Sequence, residues 1–170
     1  YMCTLLTSIT MPTSMTALTS TALNSTFSQC YSLLSITLPS SLNSVTAMAS
    51  TFNGCRSLTS VTLPTSMSGC TNFNSTFTSC NVLTSITLPN IVGAVTTFSS
   101  IFSQCYNLKT CILPGAAQLS LVNDIYAIFQ GCSDLATLTN FDKIGSLTAT
   151  PLITGSNITN NRFKGGSAIS

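Results

Sequence analysis

The sequence predicts an α/β solenoid of about five to six coils, each of roughly 25 to about 27 residues, with a parallel β-strand face and short helices opposite it. Three observations support that expectation. The first is a repeat: the segment from Phe77-Thr-Ser-Cys80 to Leu88-Pro89 has close copies from Phe27 to Pro39, Phe52 to Pro64 and Phe102 to Pro114, and a worn copy starts at Phe129. The second is spacing. Pro39, Pro64, Pro89 and Pro114 follow one another at one constant interval, and Pro12 precedes Pro39 by an interval only slightly longer. The third is the pattern inside each unit, where apolar residues recur three, six and eight positions after the Cys. A unit of this size cannot bury its apolar face alone, so successive units must stack around one continuous core.

In chain order the apolar sets are Leu6, Ile9, Met11; Leu33, Ile36, Leu38; Leu58, Val61, Leu63; Leu83, Ile86, Leu88; and Leu108, Cys111, Leu113. The last two members of each set alternate with Ser or Thr in most units, the period-two pattern of a strand buried on one face. Pro then ends the strand by removing a backbone donor. After it, apolar residues return every three positions, as in Leu42, Val45, Met48 or Met67, Cys70, Phe73 or Val92, Val95, Phe98, which predicts a tight, irregular return path. Each unit closes with i, i+4, i+7 spacing: Leu23, Phe27, Cys30; Met48, Phe52, Cys55; Phe73, Phe77, Cys80; Phe98, Phe102, Cys105; Ile125, Phe129, Cys132. That spacing predicts about two turns of amphipathic helix packed on the strand layer.

A period in the twenties with leucines at fixed offsets is the pattern of leucine-rich repeats. The order Leu-x-x-Ile-x-Leu-Pro followed by Phe-x-x-Cys-x-x-Leu resembles the BspA-like class of these repeats, found in bacterial, protist and viral surface proteins. The resemblance covers residues 3 to about 138, and Pro stands where the common leucine-rich repeat has a stacked Asn, as it does in that class. It implies a surface-displayed module whose usual role is adhesion, located outside the cell, on a cell surface or on a virion surface.

This reading divides the chain into a solenoid over residues 1–138 and a C-terminal cap, connector or docking tail over 139–170. In the tail Asn140-Phe141 replaces Leu-Pro, and Gly, Ser, Thr and Asn dominate. At the other end Cys3, Leu6, Ile9, Met11 and Pro12 match the second half of a repeat. The expectation is therefore a piece of a longer protein, or an end covered by a partner, because an uncovered strand edge invites pairing and self-association.

Composition narrows the function further. Hydrophobic residues make up 44% of the 170, enough to fill a core, while charged residues are only 5% and there is no Glu, His or Trp. A net charge of +2 without a basic cluster gives no surface for tracking phosphates, which argues against nucleic acid. Ser and Thr break every apolar run well short of the roughly 18 residues a membrane span needs. Without His or Glu, neither a Ser-His-Asp nor a Cys-His arrangement can form, and Asp124, Asp134 and Asp142 are scattered. These features point to a protein that is not an enzyme and needs no cofactor.

The eight cysteines follow the repeat. Cys3, Cys30, Cys55, Cys80, Cys105 and Cys132 form one ladder with the aromatic column Phe27, Phe52, Phe77, Phe102 and Phe129, and Cys70 and Cys111 replace apolar residues of neighbouring units. All eight are expected in the core as free thiols behaving like small hydrophobes, with one or two bridges within the ladder as the alternative. Their ladder spacing, and the absence of His, argues against a metal.

Outward strand positions carry Ser8, Thr10, Ser35, Thr37, Ser60, Thr62, Ser85, Thr87 and Thr110, two columns of hydroxyls spaced by about 5 Å between coils. This array is the candidate binding face for a protein or glycan ligand. β-Branched Thr also favours exposed strands for its own sake, so a chain that avoids charge would show the same array without any ligand. Two further readings are a structural component of a virion or extracellular filament, assembling through uncovered solenoid ends, and an ice-binding array. Asn24, Asn74 and Asn157 each open an Asn-x-Thr triplet, the acceptor pattern for glycosylation.

Overall fold

Among the described residues, six three-residue strands succeed one another at the spacing of the repeat: β1 (Ser8–Thr10), β2 (Ser35–Thr37), β3 (Ser60–Thr62), β4 (Ser85–Thr87), β5 (Thr110–Ile112) and β6 (Thr137–Thr139). The structure is a computed structural model and describes residues 3–12, 23–90, 95–115, 119, 122 and 124–140. Pairing is parallel and in register, with Ile9 beside Ile36 and Ile36 beside Val61, then Ile86 beside Cys111 and Cys111 beside Leu138. The solenoid of parallel strands is therefore present. Val92 and the tail from residue 141 onward lie outside the described residues.

The helices expected opposite the strands are not what these segments form. Residues 23–29, 49–54, 74–79, 99–104 and 126–131 are runs of turns. Their hydrogen bonds show why. Thr76, Thr78 and Cys80 donate N–H to the carbonyl three residues back, on Phe73, Ser75 and Phe77, whereas Ser75, Phe77 and Ser79 donate to Ser99, Ile101 and Ser103 of the next coil. An α-helix would keep every interior N–H within its own segment. Here alternate N–H groups tie one coil to the next, and the apolar i, i+4, i+7 spacing is met by consecutive turns.

The turns require left-handed backbone at two positions per coil. Ser25 and Gln29, Ser50 and Gly54, Ser75 and Ser79, Ser100 and Gln104, and Ala127 and Gly131 have φ between 51° and 78°. In turns closed by a bond from residue i+3 to i, positive φ at i+2 is the type II geometry. Only Gly54 and Gly131 take it without the cost of a Cβ. The other residues hold it because the inter-coil bonds on either side fix the backbone.

Inside, Phe27, Phe52, Phe77, Phe102 and Phe129 form a stack with centroids 5.4–5.8 Å apart and rings 6–9° from parallel. The interval matches the coil rise, so each ring meets the next in offset stacking. Beside it the cysteines form more than an apolar filler. The Cys55, Cys80, Cys105 and Cys132 thiols donate to the carbonyls of Phe27, Phe52, Phe77 and Phe102 at 3.0, 3.3, 3.1 and 3.1 Å. Each of those carbonyls also accepts the N–H of the Cys in its own coil. Thr51 and Thr76 are fully buried, and their hydroxyls are satisfied by Leu23 and Met48 carbonyls of the preceding coil and by Met48 and Phe73 of their own.

All eight thiols are free, and seven are buried. Cys3 is the exception to the expectation of eight core thiols: it is exposed, since among the described residues its coil has a neighbour on one side only. Burial pushes Cys55 and Cys132 up to about 12 and Cys70 up to about 11, raises Cys30, and raises Cys80, Cys105 and Cys111 well above the ordinary value of 9.0. Disulfide reagents react with the thiolate form. At pH 8, therefore, one thiol per chain, Cys3, should react promptly with Ellman's reagent in the folded protein and the other seven only after denaturation; prompt reaction of several would contradict the buried ladder. The buried thiols stay protonated in the fold while unfolded thiols ionise near pH 9, so the folded state binds more protons in that range and stability falls as pH rises. Thermal or urea midpoints should thus be flat below about pH 8.5 on this account and decline steadily between pH 9 and 12.

Candidate binding face

The strand face is built by the two-residue alternation of each strand. Ile36 and Ile86 point inward and are buried, which turns their Ser and Thr neighbours to solvent. Ser8, Thr10, Ser35, Thr37, Ser60, Thr62, Ser85 and Thr87 are all exposed, and Thr110 is half-buried. The register puts Ser8, Ser35 and Ser60 in one column and Thr10, Thr37 and Thr62 in the next. In the second half Ser85, Thr110 and Thr137 align, as do Thr87, Ile112 and Thr139. Thr137 and Thr139 extend the array beyond the residues singled out from the sequence. Leu135 and Leu138 kept the register there and could have revealed them, but the loss of Leu-Pro at Asn140 hid the strand. In the fold the Asn140 side-chain amide donates to the Leu113 carbonyl at 2.8 Å, tying that corner to the preceding coil.

The face is neutral and shallow. A groove of about 590 Å³ runs along β1 to β3 beside Pro12, Pro39 and Pro64, lined by Thr10, Thr37 and Thr62 among others. A second, of about 450 Å³, lies between β3 and β4. It marks a break that the sequence did not announce: the strands fall into two sheets, β1-β2-β3 and β4-β5-β6. At β2–β3 the ladder ends are held by Thr59 N–H to Leu34 O and Leu38 N–H to Thr62 O, both 2.9 Å, and at β4–β5 by Lys109 N–H to Thr84 O at 2.8 Å and Leu88 N–H to Ile112 O at 2.9 Å. The counterparts between β3 and β4 would join Thr84 N–H to Thr59 O and Leu63 N–H to Thr87 O. Neither bond is made among the described residues.

The break coincides with a local slip of register. Ser41 pairs with Ser66, and Asn72 with Thr97, at the full period of the repeat, but Ser66 pairs with Asn90, one position short of it. Just after Pro89 the chain is thus one residue out of step with the segment after Pro64, the two coils are back at the full period by Asn72 and Thr97, and the strands that lead into these prolines part. Val61 and Leu63 become half-buried where Ile36 and Leu38 are buried.

The two acidic residues among the described ones take structural and surface places. Asp124 Oδ2 accepts from the Thr97 hydroxyl at 2.9 Å and its Oδ1 from the Tyr126 N–H at 3.0 Å, a turn-capping role. Asp134 lies on the surface near Ser133, and Asp142 is outside the described residues. No group of three or more metal-ligating side chains occurs among the described residues. Arg56 places its guanidinium 5.1 Å from the Tyr31 ring centroid, a local cation–π contact away from the strand face. Among the described residues no helix is long and apolar enough to cross a membrane.

The repeat geometry agrees with a sequence profile: the BspA type leucine-rich repeat region matches residues 23–150 in six copies. The chain belongs to the BspA-type leucine-rich-repeat family. Solved structures with the same fold include a T. pallidum leucine-rich-repeat protein, 23% identical with a TM-score of 0.51, covering 79% of this chain and 70% of that one. A leucine-rich cell surface protein of Faecalibacterium prausnitzii A2-165 is 19% identical with a TM-score of 0.61, covering 82% of this chain and 35% of its own. A leucine-rich-repeat protein of Bacteroides ovatus ATCC 8483 is 23% identical with a TM-score of 0.50, covering 80% and 32%. This BspA-type chain therefore spans about a third of the length of the latter two. At these identities the likeness establishes the fold. A comparison with curated proteins gives no match.

The open ladder has a direct readout. In hydrogen–deuterium exchange the Leu63 and Thr84 amides should exchange at least about tenfold faster than their counterparts Leu38 and Lys109, which are bonded across the ladder. Equal protection of all four would mean that β3 and β4 pair in solution.

Proposed function

We propose that this chain is a non-catalytic recognition and adhesion module, displayed outside the cell, that binds a protein or glycan partner through its strand face. The observation that supports this reading is the exposed hydroxyl array, with Ser and Thr in two columns that run across successive coils. Each hydroxyl is both donor and acceptor, so the array can match hydroxyls of a sugar or main-chain groups of a protein. The face carries no ionisable side chain on β1 to β4, so its contacts draw on hydrogen bonding and shape.

The family is one of repeats, and a repeat surface grows one coil at a time into the extended face that such proteins use for binding. The F. prausnitzii protein of the same fold is described as a cell surface protein, which supports display outside the cell. Lack of His and Glu, and the capping role of Asp124, favour binding over catalysis. The break between β3 and β4 interrupts the even lattice that matching an ice surface would need, which favours a molecular partner.

The test is a triple substitution, Thr37→Tyr, Thr62→Tyr and Thr87→Tyr, in the displayed protein. Attachment to partner-coated surfaces should drop at least about tenfold with the circular dichroism spectrum unchanged. Unaltered attachment would remove this face from the function.

A further inference from the structure

The residue that follows the ladder cysteine holds the same place in successive coils: Tyr31, Arg56, Asn81, Tyr106 and Ser133. Two of these are tyrosines, and the coil after each treats its ring differently. Tyr31 is half-buried and carries the Arg56 guanidinium of the next coil over its ring, 5.1 Å from the centroid. Tyr106 is 44% exposed, and Ser133 stands where Arg56 stands in the earlier pair. A hydroxyl is too short to cover a ring as a guanidinium does, so the later tyrosine lacks the cation that its counterpart has.

The later ring is firmly placed all the same. A Cβ on Gly131 would lie 3.4 Å from Tyr106 Cε1, so the ring edge rests against a glycine of the next coil, held at a φ of 78°. The Tyr106 carbonyl accepts from the Ser133 hydroxyl at 3.1 Å and from the Asp134 N–H at 3.2 Å. The same bonds bring a carboxylate to this place. Asp134 is exposed, its Oδ1 lies 3.5 Å from Ser133 Oγ, and no ion pair to it is made among the described residues, Lys109 of the preceding coil included. In the earlier pair the equivalent of Asp134 is Ser57, and there the chain supplies the cation itself.

We propose that Tyr106 and Asp134 form a seat for an arginine side chain of a protein partner, the intermolecular counterpart of the contact between Arg56 and Tyr31. The guanidinium stacks on the open face of Tyr106 and turns an N–H edge toward the Asp134 carboxylate. Ring and carboxylate both call for positive charge, and a planar, weakly hydrated cation satisfies the two at once. An ammonium group is compact and strongly hydrated, so it gives up more water for a poorer fit to the ring. The seat belongs to the turn column and not to the strands, so it adds a contact beyond the hydroxyl face and is independent of what that face binds.

The experiment is a titration of the whole chain, ¹³C-labelled at its tyrosines, with the peptide Ac-Gly-Arg-Gly-amide, its citrulline and lysine counterparts, and tri-N-acetylchitotriose. The arginine peptide should shift the Tyr106 ring resonances saturably and bind at least about threefold more tightly than the citrulline peptide, which keeps the shape and drops the charge. It should also bind more tightly than the lysine peptide. Tyr106→Leu and Asp134→Asn should each weaken binding by at least about twofold. A gain of function complements these losses: Arg56→Ser together with Ser57→Asp uncovers Tyr31 and copies the later pair, so the Tyr31 ring should then shift on titration as Tyr106 does. Citrulline or lysine peptides binding as tightly as arginine, a Tyr106 ring that does not move, larger Tyr106 shifts with the sugar than with the arginine peptide, or a Tyr31 ring unmoved in the double variant would each overturn the proposal. The strand face is tested separately, by the Tyr substitutions at Thr37, Thr62 and Thr87, and stands or falls on those alone.

Discussion

In the inner column the carbonyls of Phe27, Phe52, Phe77 and Phe102 each accept two hydrogen bonds, and the remainder of the fold is built around that pair. One comes from the Cys N–H of its own coil and closes a turn; the other comes from the Cys thiol one coil on and fixes the stacking distance. A residue at this position must be small enough for a fully buried site and must carry a donor, which Val or Ala lacks. The thiol meets both needs with little loss on dehydration, since it is a weak donor to begin with. Ring stacking at 5.4–5.8 Å then follows from the same interval.

That interval also explains the shortage of charge. In a solenoid every side chain stands over its counterpart in the next coil, so a charge written into the repeat becomes a column of like charges. At about 5 Å each neighbouring pair would repel by about 1–3 kcal/mol between bulk-water screening and the effective dielectric near a protein surface. Ser, Thr and Asn hydrate the surface without that penalty, and their hydroxyls serve between coils as well. The Thr59 hydroxyl reaches the Leu34 carbonyl at 2.9 Å and the Thr78 hydroxyl the Ser100 carbonyl at 2.6 Å. The single Arg of the repeat body sits over Tyr31, where a ring stands in for a counterion.

The strand face inherits both its regularity and its flaw from coil registry. Where a full period separates partners, the hydroxyls line up; where Ser66 meets Asn90 one position early, two strands part and main-chain groups come to the surface. A repeat protein can thus interrupt its own strand ladder without any unusual side chain, by slipping one residue in one coil. The flanking turns absorb the slip, because each coil is tied to the next at many other points.

Most of the architecture was legible in the order of residues. The prolines gave the period, the Leu-x-x-Ile-x-Leu sets gave the buried strand positions, and the Ser/Thr alternation gave the outward face, since a two-residue period admits only one way to bury Ile36 or Ile86. The turn segments were not legible. Apolar residues at i, i+4 and i+7 satisfy a helix and a run of turns alike, and what separates them is whether alternate N–H groups find carbonyls in another coil. The open ladder was equally hidden, because Pro64 and Pro89 are spaced like the other prolines, and the slip follows them. Residue order was enough to specify that like residues stack in columns and which faces those columns present. Where the columns fail to meet was fixed only on folding, because hydrogen bonds between coils depend on a three-dimensional registry that no single coil contains.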